Sequence, residues 1–424
     1  MERSFGIRDN QRMSQAGEMI QADVSCQAPS SEESAEAEVI PIRILYLNTW
    51  SSCHGGSSTS LLDIVSHLDR DQFDPHVLCP EPGPLPDRLA EIGIPHTVHP
   101  ITPLTRESLW RFVREVPWYV RFLKRQRIRV IHANTGCWRR SIAVAARVLR
   151  IPLVIHVRNP VNRGFYDFTV RFASRIITNS DAVGAVWRDD EKLRDKMVTI
   201  YNAVDLAAYE SGGDCRDEIG AQNRPVVGFV GQLIPRKGVK TLIAAMPQVV
   251  ATVPNALLIV VGCAPPGRED YADECRQMVD EMSIENHVRF AGYRRDIPDW
   301  MRTFDVFVLP TDSEPFGKVI VEAMAAGCPV VTTPVGGIPE IITDDTLGTM
   351  IAPGDVQATA QAIVAYLTDR QRAQCVGRNA RQHVQAHFGM DRMIGSLQQL
   401  YEQVLAESDG RGPASRRQKR DHAA

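Results

Sequence analysis

Two glutamates eight positions apart, Glu314 and Glu322, stand in DVFVLPTDSEPFGKVIVEAMAAGCPVVTTPVGGIPE (305–340). The apolar run that opens this stretch predicts a buried strand ending at Pro310. A polar loop carrying Asp312 and Glu314 follows. Pro315 has no N–H to leave orphaned, so it suits the first position of a helix. That helix is expected to run to about Ala326, with Gly327 in the left-handed position after its end. The unpaired N–H groups of Phe316, Gly317 and Lys318 would attract an anion such as a diphosphate. Gly317 lets that backbone approach closely. Glu314 lies at the helix start, where a carboxylate also simply complements the helix dipole. Glu322 falls two turns later beside apolar Val321, Ala323 and Met324. A carboxylate in such company wants a partner, and ribose hydroxyls would serve.

A related pattern lies upstream in VGFVGQLIPRKGVKTLIAAM (227–246): strand, glycine turn, basic loop with Arg236 and Lys237, helix. The pair also reads as ordinary exposed charge before a helix. Positioning these loops requires strands that end together. Apolar runs alternate with amphipathic stretches throughout. The first series is VIPIRILYLN, DPHVLCP, PHTVHPI, RVIHAN, PLVIHV, SRIITNS and MVTIYNAVD; the second is PVVGFVGQ, ALLIVVG, HVRFAGY, DVFVLP, PVVTTP and TMIAP. This alternation implies βαβ units and parallel sheets covered on both faces. The predicted fold is α/β: two doubly wound Rossmann-like domains facing a cleft, at 39–205 and 220–390. The polar stretch 205–225 is expected to link them. Ligands in such sheets sit outside the carboxyl ends of the strands. A final amphipathic helix is expected at 391–408.

Residues 1–38 and 409–424 carry no apolar period and read as a disordered leader and a disordered basic tail. With 44% hydrophobic and 23% charged residues, the composition is that of a globular protein and excludes collagen and coiled coil. No apolar run is long enough to span a membrane, and the first residues do not read as a signal peptide. The net charge of -3 argues against nucleic acid as a partner. Nine cysteines without a C-x-x-C pair suggest reduced thiols in the cytoplasm. No metal site is read; the D-x-D at Asp69-Arg70-Asp71 is taken as chance. Charge is unevenly placed: 106–175 holds sixteen Lys/Arg against three acids. Its segment 106–127 mixes five aromatics with cations, as an anionic membrane surface or an acidic acceptor would require, or as a core-packing aromatic face with a solvated basic one. Pro117 is expected to break it into two short helices.

The E-x7-E spacing within EPFGKVIVEAMAAGCPVV resembles the signature of family 4 retaining glycosyltransferases of the GT-B fold, a resemblance extending over about 40–408. It implies that Glu314 contacts the donor sugar and its phosphates and that Glu322 binds the donor ribose. Backbone groups at Pro315, Phe316, Gly317 and Val319 would line the sugar-diphosphate. The upstream turn resembles the family's G-R-L-x-x-x-K-G, which gives two cations to the diphosphate. Lys237 and Gly238 match; Gln232 stands at the arginine position, and Arg236 adjoins the lysine. In the family the segment corresponding to GYRRDIPDWM touches the nucleotide base largely through backbone, so the resemblance makes Tyr293 and Arg294 candidates for that contact. Gly56, of the pair Gly55-Gly56, falls near the donor phosphates and the acceptor, although such a pair is also a plain flexible turn. Either His156 or Arg158 would lie by the donor sugar, with His156 alternatively a packed core histidine. Asn134 is a further cleft candidate.

The resemblance implies transfer of a hexose-type sugar from a nucleotide-diphosphate sugar to an acceptor hydroxyl, with retention and without a metal or other cofactor. The acceptor would be a glycan or lipid-linked sugar, such as a cell-surface polysaccharide precursor. The enzyme would be cytoplasmic, with a peripheral seat on the inner face of the membrane through 106–175. The rival readings are a nucleotide-sugar epimerase on the same fold and a noncatalytic nucleotide-sugar-binding module.

Overall fold

The computed structural model of the chain describes residues 40–52, 56–101, 109–135, 140–159 and 169–410. The expected leader, most of the expected tail and Gly55 lie outside these residues. Among the described residues, thirteen strands form two sheets. The first contains β1 (Ile42–Leu47), β2 (Phe73–Cys79), β3 (His96–Val98), β4 (Val130–Ala133), β5 (Leu153–Val157), β6 (Arg175–Thr178) and β7 (Met197–Thr199). Its order is β3-β2-β1-β4-β5-β6-β7. The second contains β8 (Val226–Val230), β9 (Leu257–Val261), β10 (Val288–Gly292), β11 (Val306–Leu309), β12 (Val330–Thr332) and β13 (Thr349–Met350), in the order β10-β9-β8-β11-β12-β13. The recorded strand pairings are parallel, for example Tyr46 with His132 and Phe307 with Val330.

Both lobes are therefore parallel α/β sheets, and the strand alternation shows why their strands read as continuous apolar runs. In β1, Ile44 and Tyr46 face one layer while Leu45 and Leu47 face the other, and all four are buried. The first layer is covered by the helices Gly56–His67 and Met390–Ser408, the second by Leu109–Arg125 and Arg140–Leu149. The final helix thus packs on the first lobe, burying Met393, Ile394, Leu397, Leu400 and Tyr401.

The stretch 205–225 is not a free linker. Tyr209, Cys215, Ile219 and Ala221 join the core of the second lobe, and the Cys215 amide donates to Thr303 Oγ1 at 2.7 Å. Leu109–Arg125 is one helix with Pro117 inside it, not two. Pro117 is exposed, so water can satisfy the carbonyl left without a donor one turn earlier. Among the described cysteines, Cys79, Cys215, Cys275 and Cys328 are buried free thiols, while Cys263 and Cys375 are exposed.

Candidate active site

The site grows from loops at the carboxyl ends of β8 and β11. After β8 the chain turns through Gln232 into a single 3-10 turn, Pro235–Lys237. Gly238 then adopts φ +70, and a Cβ there would lie 1.9 Å from the Pro310 carbonyl oxygen. Only glycine fits, and the fit brings Lys237 against the loop that follows β11. Thr311 Oγ1 and the Asp312 amide donate to the Arg236 carbonyl at 2.7 and 2.8 Å. This lacing delivers Lys237 Nζ to Glu314 Oε2 as a hydrogen-bonded ion pair, with both residues buried. Arg236 Nη1 stands 3.7 Å from the same oxygen and donates to the Ser313 carbonyl at 2.9 Å. Two motifs 77 residues apart thus form one charged cluster.

The following helix spans Lys318–Ala325, starting three residues later than expected. Gly317 takes the cap position at φ +108, a conformation closed to proline, and Pro315 and Phe316 stay in the turn. No side chain caps this helix, so its first amides, at Lys318 and Val319, have no acceptor within it. Phe316 is 2% exposed and packs on Tyr201 and Phe388, with ring centroids 5.8 Å away in each case. Its side chain is therefore core, and only its backbone can face a ligand. Val319 is half-buried against the second-lobe core.

Glu322 is recessed, with an 18% exposed side chain. Burial pushes its carboxyl up to about 7; Lys318 opposes that shift and Asp63 of the first lobe adds to it. Lys318 Nζ lies 2.5 Å from Asp63 Oδ2 and 3.9 Å from Glu322 Oε1. The lysine links the lobes at the carboxylate expected to hold ribose.

In the first lobe, Arg158 follows β5 and is 6% exposed. Its guanidinium donates to the Asn134 carbonyl (2.9 Å), Asn134 Oδ1 (2.8 Å) and Asn202 Oδ1 (2.6 Å). These partners are neutral, and burial lowers Arg158 to about 9. Asn134 in turn donates to Asn48 Oδ1 and the Ser57 carbonyl, each at 3.0 Å. It ties Arg158 to the first turn of the helix Gly56–His67. Gly56 is exposed, and a Cβ there would meet nothing within 4 Å. The fold itself does not demand glycine at this position.

His156 is placed differently from its sequence expectation as a site residue. It lies within β5 on the face of Val154, 1% exposed, with no hydrogen-bond partner at either ring nitrogen. Burial holds its pKa well below the usual histidine value. His132 occupies the same layer, 5.5 Å away between ring centroids, and its Nδ1 pairs with the Tyr401 hydroxyl at 2.6 Å. Strand alternation points His156 into the core, and Arg158 stands just past the carboxyl end of β5. Arg294 lies in the segment expected to meet the base largely through its backbone. Its guanidinium is held by Glu218 (2.8 and 3.1 Å) and Asp296 (3.0 and 2.8 Å), and lies 5.0 Å from the Trp300 ring centre. The side chain is committed to the fold, leaving only backbone for a base. Tyr293 beside it is 44% exposed. Asp69 of the D-x-D caps its own turn by accepting from the Asp71 amide, just before β2 and so at the amino end of the sheet, away from these loops.

Residues 54–208 match the family model described as Glycosyltransferase Family 4, and 215–383 match Glycosyl transferases group 1. A lipopolysaccharide core biosynthesis mannosyltransferase of Rhizobium meliloti is 30% identical over 286 residues, covering 65% of this chain and 80% of that one. The chain belongs to the family 4 glycosyltransferases. A second lipopolysaccharide core mannosyltransferase, from Rhizobium leguminosarum, is 28% identical over 295 residues, 67% of this glycosyltransferase and 81% of its own length. Anabaena HepE, solved in complex with UDP and glucose, superposes with a TM-score of 0.75 at 28% identity, covering 85% of the glycosyltransferase and 99% of HepE. The two-lobed parallel architecture is thus the GT-B fold.

Several residues of the site were not singled out from the sequence. Asp63 and Asn202 act on partners in distant segments, and nothing local marks them. Lys318 and Glu340 sit inside the strongest motif, where proximity to Glu314 and Glu322 was the available signal.

Proposed function

We propose that the chain moves a hexose-type sugar from a nucleoside-diphosphate sugar to an acceptor hydroxyl with retention of configuration and without a metal. The observation that carries this reading is the Lys237–Glu314 pair beside the uncapped start of the helix Lys318–Ala325. A diphosphate placed there meets an ammonium, the nearby Arg236 guanidinium and helix amides, all preorganised for growing negative charge. The bond between the sugar's anomeric carbon and the phosphate oxygen breaks, and its electrons stay with the diphosphate. The acceptor oxygen bonds to the same face, and its proton passes to the departing phosphate. Glu314 orients the sugar, Glu322 accepts from the ribose, and the backbone of 292–294 lies by the base. Arg158 lies near the sugar, fixed by Asn134 and Asn202.

The Rhizobium relatives support a mannose-type donor and a lipopolysaccharide-like acceptor, and HepE supports a uridine diphosphate sugar. Incubating the protein with a panel of nucleotide-sugars and an acceptor library, then determining product anomeric configuration, tests the reading. Donor consumption with a retained linkage is expected; inversion, epimerisation without acceptor, or binding without turnover refutes it.

A seat on an anionic membrane surface belongs to the same reading. The helix Leu109–Arg125 buries Tyr119, Phe122 and Leu123 and exposes Trp110 (56%), Val113 (61%), Arg114, Arg121, Lys124 and Arg125 on its other side. Arg114 lies over the Trp110 ring at 5.5 Å. No helix among the described residues is long and apolar enough to cross a membrane.

A further inference from the structure

We infer that Glu340 is a positioning residue for transfer: it holds the donor loop of the second lobe in register with the first lobe. The loop after β12 is locked to the donor loop from behind. The Gly337 amide donates to the Glu314 carbonyl at 3.1 Å, and a Cβ on Gly336 would lie 1.9 Å from that same oxygen. From this anchored loop, the short helix Ile338–Ile341 presents Glu340 to the other lobe. Its two carboxylate oxygens accept from two consecutive first-lobe amides, Asp181 at 2.8 Å and Ala182 at 2.9 Å. The neighbouring Ser180 Oγ donates to the Pro315 carbonyl at 2.7 Å. Tyr201 stacks on Phe316. Residues 315–316 and 340 of the second lobe thus grip residues 180–182 and 201 of the first.

The consequence follows from what each lobe holds. Of the donor groups proposed above, Lys237, Glu322 and the helix amides belong to the second lobe, and only Arg158, near the sugar, belongs to the first. The acceptor must come from the other side of the cleft. Weakening the grip leaves the donor pocket intact and loosens the alignment of sugar and acceptor, which acts on turnover. Two amide bonds to one carboxylate are strong because the acceptor is charged.

The inference rests on the transferase reading, and its test separates the two. Glu340→Gln keeps size but turns an N–H donor toward a backbone N–H. It is expected to lower kcat about tenfold, the equivalent of one charged hydrogen bond. Donor affinity measured by calorimetry is expected to stay within about twofold, since no group proposed to touch the donor changes. Glu340→Ala is expected to go further in the same direction, and Ser180→Ala, which removes the Pro315 contact together with the cap that Ser180 Oγ gives the Val183 amide, to fall between. Small-angle X-ray scattering of the same proteins reads lobe opening without turnover, and a larger radius of gyration is expected for Glu340→Gln. Unchanged kcat, or donor affinity falling in step with kcat, overturns the inference. If wild type shows no transfer with any donor, the transferase reading fails; the radius of gyration then decides this inference, expansion sustaining it and no change overturning it.

Discussion

Replacing Glu322 by glutamine is expected to stabilise the free enzyme at alkaline pH while weakening donor binding. The carboxyl is pushed from 4.5 to about 7 because burial outweighs the help of Lys318 3.9 Å away. At ~1.4 kcal/mol per pH unit, that shift is worth at most about 3.5 kcal/mol. The folded value is the higher one, so between pH 4.5 and about 7 the folded chain holds a proton that the unfolded chain has released. Stability from this group is complete below pH 4.5 and is lost as pH rises through 7. Glutamine carries no such cost. Thermal unfolding of both proteins from pH 5 to pH 8.5 is the assay. Melting points within about 1 °C are expected at pH 5, with the variant higher by about 2–5 °C at pH 8. Ribose hydroxyls should lose their acceptor at the same time, raising the donor dissociation constant about tenfold. A stability difference independent of pH, or one that grows toward acid, would refute the reasoning that Glu322 is a buried carboxylate awaiting a ligand.

Lys237→Ala removes the cation at the proposed diphosphate position and should weaken donor binding by about ten- to a hundredfold in calorimetry. Gly238→Ala forces a Cβ onto the Pro310 carbonyl, so its urea midpoint should fall, with a cost of about 2 kcal/mol or more. His156→Leu removes two unpartnered ring nitrogens from the core; kcat should stay within about threefold and thermal stability should not decrease, whereas a large loss of kcat would restore His156 to the site. Trp110→Ser with Arg114→Ser should lower sedimentation with vesicles containing anionic lipid, more so at low salt, without altering turnover on a soluble acceptor.

The strands and the order of the two series were legible because parallel strands covered on both faces are written as uninterrupted apolar runs. Each run quoted from the sequence became one of β1 to β13. The charged cluster was legible as two separate motifs, and the fold supplied their meeting through Gly238 and the Arg236 carbonyl. The helix start at Lys318 was misjudged because proline at a first position and glycine at a cap compete, and positive φ at Gly317 won. The choice between His156 and Arg158 was readable in part: Val154 and His156 share one side of β5, so an inward Val154 takes His156 with it. Contacts such as Lys318 with Asp63 and Glu340 with Asp181 depend on how two lobes face each other, which no local pattern encodes.

The most direct measurement is a structure of the protein with a bound nucleoside-diphosphate sugar. The diphosphate is expected between Lys237 Nζ and the amides of Lys318 and Val319, with the ribose on Glu322 and Glu314 released from Lys237 toward the sugar. A diphosphate bound elsewhere, with the Lys237–Glu314 pair intact, would contradict the proposed site.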